Sequence, residues 1–206
     1  MAFIGMRHVV AAKVATETPG QALTYDAGMV VGKAIQGNLT WNRNDNPLYA
    51  DDAIAENDNG ATGGSIELGT DDLLDAVRAY LLGDEEVTVG TSPNTTTEYE
   101  TTDEPAPYVG FGYVRVRIKN GVTSYQAVWY HKAQFGENTE NAQTKGQTIE
   151  WQTPTITGRI MGVQNDASGT IRFRRRATFE TLAAAVAWLD DKAGISALHG
   201  GGRSTT

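Results

Sequence analysis

The stretch from Gly32 to Gly83 (GKAIQGNLTWNRNDNPLYADDAIAENDNGATGGSIELGTDDLLDAVRAYLLG) constrains the fold more than any other. Its pattern sets two core-forming segments on either side of a polar one. Residues 28–43 read as a strand. From Ile35 onward Ile35, Gly37, Leu39 and Trp41 share one face, and Gln36, Asn38, Thr40 and Asn42 share the other. That alternation is the mark of a half-buried antiparallel strand. Residues 64–69 (GSIELG) form a second, shorter strand with Ile66 and Leu68 on one side. A helix then starts at a Thr70 or Asp71 cap and runs to about Leu82. Leu73, Leu74, Val77, Tyr80 and Leu81 give it one apolar stripe. Asp71 and Asp72 suit its N-terminal dipole, and Gly83 suits the position just past its end.

Between the strands lies a long loop, residues 44–63. It carries Asp45, Asp51, Asp52, Glu56 and Asp58 and no Lys or Arg. Loops of this length without structure of their own are uncommon in compact domains and usually functional. Leu48, Tyr49 and Ile54 argue against simple disorder.

The remaining segments extend a β-rich pattern. Residues 108–135 form a hairpin around Asn120-Gly121, a dipeptide that tolerates the left-handed turn a tight hairpin needs. Its arms are rich in aromatic and β-branched residues, with apolar groups on both faces, so neither face is expected to be fully solvated. Residues 147–163 read as another strand bent or edged at Pro154, and Thr170 to Arg176 as a short basic strand. A last helix runs from a Thr178 cap to Gly194, with Phe179, Leu182, Val186 and Leu189 as its stripe. Residues 1–27 read as an N-terminal arm and the Thr- and Glu-rich residues 84–107 as an exposed insertion or long hairpin tip, with a short β-like piece at Val87 to Val89. Residues 195–206 read as a flexible tail. Residues 1–194 are read as a single domain, since β-rich units of this length are common.

Chemistry is sparse. The chain has no Cys, which removes disulfides, thiolate metal sites and Cys nucleophiles together. His8, His131 and His199 fall in three separate settings without metal-ligand spacing. No G-x-S-x-G elbow or P-loop occurs, and Gly110-Phe111-Gly112 falls inside a strand, where glycine permits close packing. The acidic loop offers hard oxygen ligands but lacks the spacing of a calcium-binding loop. No catalytic residue, metal or cofactor is therefore expected, and the chain is read as a non-enzyme. No apolar run approaches bilayer length. The formal net charge of -8 argues against generic binding to phosphate backbones. Cations are nevertheless concentrated. Arg172, Arg174, Arg175 and Arg176 fall within five residues, and Arg115, Arg117 and Lys119 alternate along one strand. Patches of opposite sign steer association, so the acidic loop and the arginine cluster are read as halves of a contact between copies.

Together the GKAI strand, PLYADDAIAENDN, YVGFGYVRVRIKNG with YQAVWYHKAQF, TKGQTIEWQTPTITGRIMG and TFETLAAAVAWLDDKAG carry a family likeness. In this order the chain resembles the major tail protein, or tail tube protein, of long-tailed (siphovirus-type) bacteriophages of Gram-positive hosts. The resemblance implies a mainly β fold with flanking helices (α+β), in which two packed antiparallel sheets form a sandwich or flattened barrel with a helix at its side. It implies stacked six-subunit rings forming the tail tube, assembled in the host cytoplasm and carried in the virion. The partners implied are other copies, other tail proteins including the tape measure protein, and DNA passing through an acidic lumen. Carried onto this sequence, it places the ring contact at Leu48, Tyr49, Asp51 and Asp52, with Glu56 beside them and Arg172, Arg174, Arg175 and Arg176 as the complementary charges. The alternative is a monomeric β-sandwich module that binds a carbohydrate or other ligand through the acidic loop, Tyr49 and Tyr99.

Overall fold

A computed structural model describes residues 2–51, 53–137 and 153–195. β1 (Ala2–Thr16) leads through the two-residue β2 (Thr24–Tyr25) to β3 (Met29–Gly32) and β4 (Ala34–Arg43). A hairpin follows, β5 (Asn46–Ala50) and β6 (Ala53–Asp58), then β7 (Ala61–Thr70) and helix α1 (Asp75–Leu82). A second hairpin, β8 (Glu85–Thr91) and β9 (Asn94–Glu100), precedes the long pair β10 (Tyr108–Lys119) and β11 (Val122–Gly136). β12 (Thr155–Met161), β13 (Arg174–Phe179) and helix α2 (Leu182–Ala193) complete the described chain. The protein is thus mainly β, with two helices among the described residues and one large antiparallel sheet.

That sheet has nine strands, in the order β2-β1-β10-β11-β12-β7-β4, with β13 beside β11 and β3 beside β1. Its two ends are linked by one run of chain. β3 pairs with β1, and after the single residue Lys33 the chain continues as β4, which pairs with β7. β11 has two successive neighbours on one edge. Tyr125–Tyr130 pair with β13, and Lys132–Gly136 pair with β12.

The switch is made by a bulge. Val109 faces Ala133 but Phe111 faces Tyr130, so β11 carries one extra residue there. The inward residues consequently step from Val128 and Tyr130 to Ala133 and Phe135, shifting the strict alternation of the sequence by one. Inside the sheet these side chains meet Val9, Ala11, Ile66, Leu68, Phe111, Ile156 and Ile160, and α1 adds Val77 and Leu81. On the other face Val10, Ala12, Val114, Ala127 and Trp129 pack under Ala185, Leu189 and Ala193 of α2. The β1–β10–β11 slab is therefore buried on both sides, which accounts for its doubly apolar pattern. Gly112 is required by this packing: a Cβ there would lie 2.8 Å from Leu189 Cδ2 and from Trp129 Cε3.

Several expectations are corrected. The N-terminal arm is instead β1, a strand paired along most of its length with β10, in which Val9, Val10, Ala11 and Ala12 are fully buried. The loop at 44–63 and the insertion at 84–107 each fold into a two-stranded hairpin. Helix α1 begins later than its acidic signals suggest. Thr70 is buried at the end of β7, and the Asp71 carboxylate accepts the backbone N–H of Lys33 (3.1 Å), leaving Leu74 at the N-cap without a side-chain bond. α2 also begins later. Thr178 pairs with Gln126 in β13, and Thr181 caps the helix by accepting the Ala184 N–H. Both helices end at left-handed glycines, Gly83 (φ 92°) and Gly194 (φ 63°), as their sequences require. The strand expected at 147–163 is described only as β12. Residues 147–152 of that strand, and residues 196–206 of the expected tail, lie outside the described residues.

Candidate functional site: an exposed hairpin

The β5–β6 hairpin grows out of the β4–β7 pair, and its root is held by polar bonds. The Asn44 N–H donates to Gly60 O (2.9 Å). The Asp58 carboxylate accepts from Asn44 Nδ2 (3.1 Å) and from the Gly60 N–H (3.0 Å), and these two bonds hold its pKa below the usual carboxylate range. Arg43 Nη1 donates to the Asn59 carbonyl (3.2 Å). Above the root Asn46 faces Asp58, Leu48 faces Glu56 and Tyr49 faces Ile54, with one irregularity between Leu48 and Tyr49. Asp51 sits at the turn in the left-handed region (φ 51°), where Asp and Asn are favoured among non-glycine residues. Asp52 lies outside the described residues.

From Asn44 to Gly60 every described residue except Pro47 is exposed. Leu48 is 58% exposed, Tyr49 65% and Ile54 58%. An isolated two-stranded hairpin is marginal in water, and it gains little from side chains that stay wet. Polar composition would suit a solvated hairpin; three large apolar groups suit one that docks. The structure thus brings Leu48, Tyr49, Asp51 and Glu56 onto one protruding element.

The four arginines are not one patch. Arg172 lies outside β13 and its Nη2 pairs with Asp166 Oδ2 at 2.6 Å. The others alternate along β13. Arg174 and Arg176 stand opposite Tyr130 and Val128 on the inward face, while Arg175 stands opposite Trp129 on the α2 side. The Arg174 guanidinium lies over the Trp41 ring, 4.8 Å from its centroid. Among the described residues no ion pair joins these arginines to the β5–β6 hairpin.

His131 is the buried titratable group nearest this cluster. Burial, with Arg175 and Arg172 adding to it, pushes its pKa down to about 4. Its backbone is fixed by an accepting bond from Tyr25 Oη (2.8 Å), and Trp129 Nε1 donates in turn to that hydroxyl (3.4 Å). Burial raises the Tyr25 hydroxyl to about 12. These groups tie β2 to the slab. The groove beside β12, between Gln134, Phe135, Gly158 and Arg159, is open and holds a single charged side chain. Among the described residues no group of three or more His, Asp or Glu side chains is arranged to hold a metal. No helix there is long and apolar enough to cross a membrane.

Sequence reasoning missed a second surface. Arg115, Arg117 and Lys119 continue the inward face of β10 beyond Tyr113, where the core ends. Their alternation was legible; the placing of Arg176 one row behind Arg115 on the same face depends on the β11–β13 pairing, which no local pattern reveals. No family model matches this chain, and no curated protein matches it.

Proposed function

We propose that this chain is a structural subunit that assembles with copies of itself into stacked rings, forming a tube of the kind found in long-tailed phage virions and serving there as the conduit for DNA. In this reading the nine-stranded sheet, linked end to end through β3 and β4, is the flattened barrel of the tube wall, and α1 and α2 cover its flanks.

The observation that carries the reading is the β5–β6 hairpin, whose Leu48, Tyr49 and Ile54 stand in solvent on a two-stranded sheet of its own, separate from the nine-stranded sheet among the described residues. An exposed element that carries large apolar groups on both faces among carboxylates fits a docking arm better than a solvated loop. A net charge of -8 also suits a conduit, because like charge keeps DNA from sticking to the wall. No cofactor enters this role, and no residue is assigned a catalytic one.

Negative-stain microscopy of the concentrated protein, over a range of salt concentrations, tests the reading. Rings or tubes are expected. A strictly monodisperse monomer under every condition would overturn it.

A further inference from the structure

We infer that the seat for the β5–β6 hairpin is the open basic face formed by β10, β11 and β13 on a second copy of the chain, rather than the arginine run at 172–176 as a unit. The inference rests on the self-assembly proposed above and names the surface that completes it.

The charge distribution is lopsided. β1, β10, β11 and β13 carry nine of the chain's 17 Lys and Arg residues and no Asp or Glu at all. Strand register then sorts these cations. Tyr113, Val128 and Arg176 form one row across β10, β11 and β13; Arg115, Gln126 and Thr178 form the next, and Arg117 and Ser124 the one after. Side chains opposite each other in a sheet share a face. The face that holds the core at Tyr113 and Val128 therefore continues past it as a plane bearing Arg115, Arg117 and Lys119, with Arg176 at its border in the Tyr113 row and Arg174 one row further back over the core.

This plane is unfinished. Arg115 donates from Nη2 to Gln126 Oε1 (2.6 Å) and lies 4.3 Å from the Phe3 ring centroid. The Nε atoms of Arg115 and Arg117 are buried without an acceptor among the described residues. Among the described residues no carboxylate pairs with either guanidinium, so the charge of their outer N–H groups is left for a carboxylate from outside the chain. Apolar surface accompanies the charge: Phe3, opposite Arg117, is 46% exposed, and Val122, opposite Lys119, is 68% exposed.

The hairpin presents the matching chemistry. Leu48 and Glu56 stand opposite each other on one of its faces, with Tyr49 and Ile54 on the other and Asp51 at the tip. Apolar groups would meet Phe3 and Val122 while carboxylates meet the arginines. The two surfaces belong to different parts of the chain, so the contact is head-to-tail, and such contacts propagate into rings or filaments. Covering Arg115, Arg117, Lys119 and Arg176 also keeps them from a DNA-conducting lumen, where they would hold phosphates. The β8–β9 hairpin is the rival occupant. Its Glu85, Glu98 and Glu100 share a face, but of its side chains only Val89 is a large apolar group in solvent.

Two experiments on the full chain test the seat. In the first, Tyr49→p-benzoyl-phenylalanine protein is mixed as isotopically labelled and unlabelled copies and irradiated. Cross-links between copies, from position 49 to the segment 115–126 or to β13, are expected. Cross-links within one copy, or to other segments, overturn the seat. In the second, Lys119→Glu with Arg176→Glu, on exposed positions that leave the core intact, is compared with Asp51→Lys with Glu56→Lys. Each pair should weaken self-association by about a hundredfold in sedimentation while circular dichroism stays that of the parent. Mixing the two variants should give dimers and nothing larger, because each supplies one intact half. Assembly retained by either variant overturns the seat and leaves the tube subunit standing, whereas a parent chain that never associates sinks both. Normal assembly with lost single-stranded DNA retention in the Lys119 and Arg176 variant would mark the face as a nucleic-acid surface and overturn the inference.

Discussion

Two hairpins of this chain are built alike and used in opposite ways. β10–β11 turns at Asn120 (φ 51°) and Gly121 (φ 76°), and β5–β6 turns at Asp51 (φ 51°). Both satisfy their own backbone. Away from its turn the first is buried on both faces, by the core on one side and α2 on the other; the second is buried on neither. The difference lies in what the alternate positions carry. On β10 and β11 they are Val, Phe, Tyr, Trp and Ala, with glycines where α2 and Trp129 come close. On β5 and β6 large apolar groups are interleaved with carboxylates. Burial therefore fixes the first hairpin within one chain, while the second leaves its large apolar side chains in solvent among the described residues.

The comparison predicts where stability resides. Trp129→Ala should be the most damaging of the substitutions considered. The side chain is 1% exposed, meets Tyr25 edge-on at 5.3 Å, and fills the space above Gly112 beneath Leu189. Truncation leaves a cavity between two rigid layers and should cost about 3–5 kcal/mol, read as a lowered urea midpoint. A loss under about 1 kcal/mol would mean that α2 settles onto the sheet, so that the slab is not held from both sides as described.

The same contrast explains what the sequence revealed. β10–β11 was legible because Asn-Gly and aromatic alternation are local signals, and both helix ends were legible at Gly83 and Gly194. β1 was not. Its pattern is interrupted by register shifts between Phe3 and Met6 and between Arg7 and Val10, with positive φ at Gly5 (114°) and His8 (51°), so no period of two survives. Its burial comes from β10 and α2, more than 90 residues away in the chain. Helix starts were misplaced because Thr70 and Thr178 have the chemistry of caps but lie in strands, and the Asp71 carboxylate is taken by the Lys33 N–H. The hairpins at 44–63 and 84–107 looked like loops because both their faces meet water, which erases the apolar–polar alternation that marks a strand. For the site, the exposed β5–β6 hairpin showed as an acidic segment with misplaced apolar residues. The basic face did not, since its rows are assembled by pairing β13 onto β11.

Protonation offers a second way to separate the two regions. His131 lies in the buried slab, and its pKa is lowered to about 4 by burial and by Arg175 and Arg172. Its ring stays neutral in the folded protein down to that pH, while in the unfolded chain it takes up a proton near 6.5. Between these values the unfolded state binds more protons, so its contribution to stability is complete above about pH 6.5 and lost as pH falls toward 4. The loss should reach about 3 kcal/mol, and His131→Gln should flatten that part of the profile in denaturation curves taken at successive pH values. A profile unchanged by the substitution would show that His131 is solvated as freely as the hairpin carboxylates.

The smallest effect on folding should come from the other member of the pair. Tyr49→Ser and Ile54→Ser remove side chains that touch solvent rather than core, and surface changes of this kind stay within about 0.5 kcal/mol. The isolated chain should unfold at the parent's urea midpoint. Its association should nevertheless fail, because the substitutions take away the apolar area that a neighbour would cover while leaving Asp51 and Glu56 in place. This pairing of outcomes is what the comparison demands: Trp129 acts on the fold through one chain, and Tyr49 and Ile54 act on the assembly between chains. A double variant that destabilised the monomer by more than about 1 kcal/mol would show that the hairpin folds back onto its own chain in solution, and the contrast between the two hairpins would be lost.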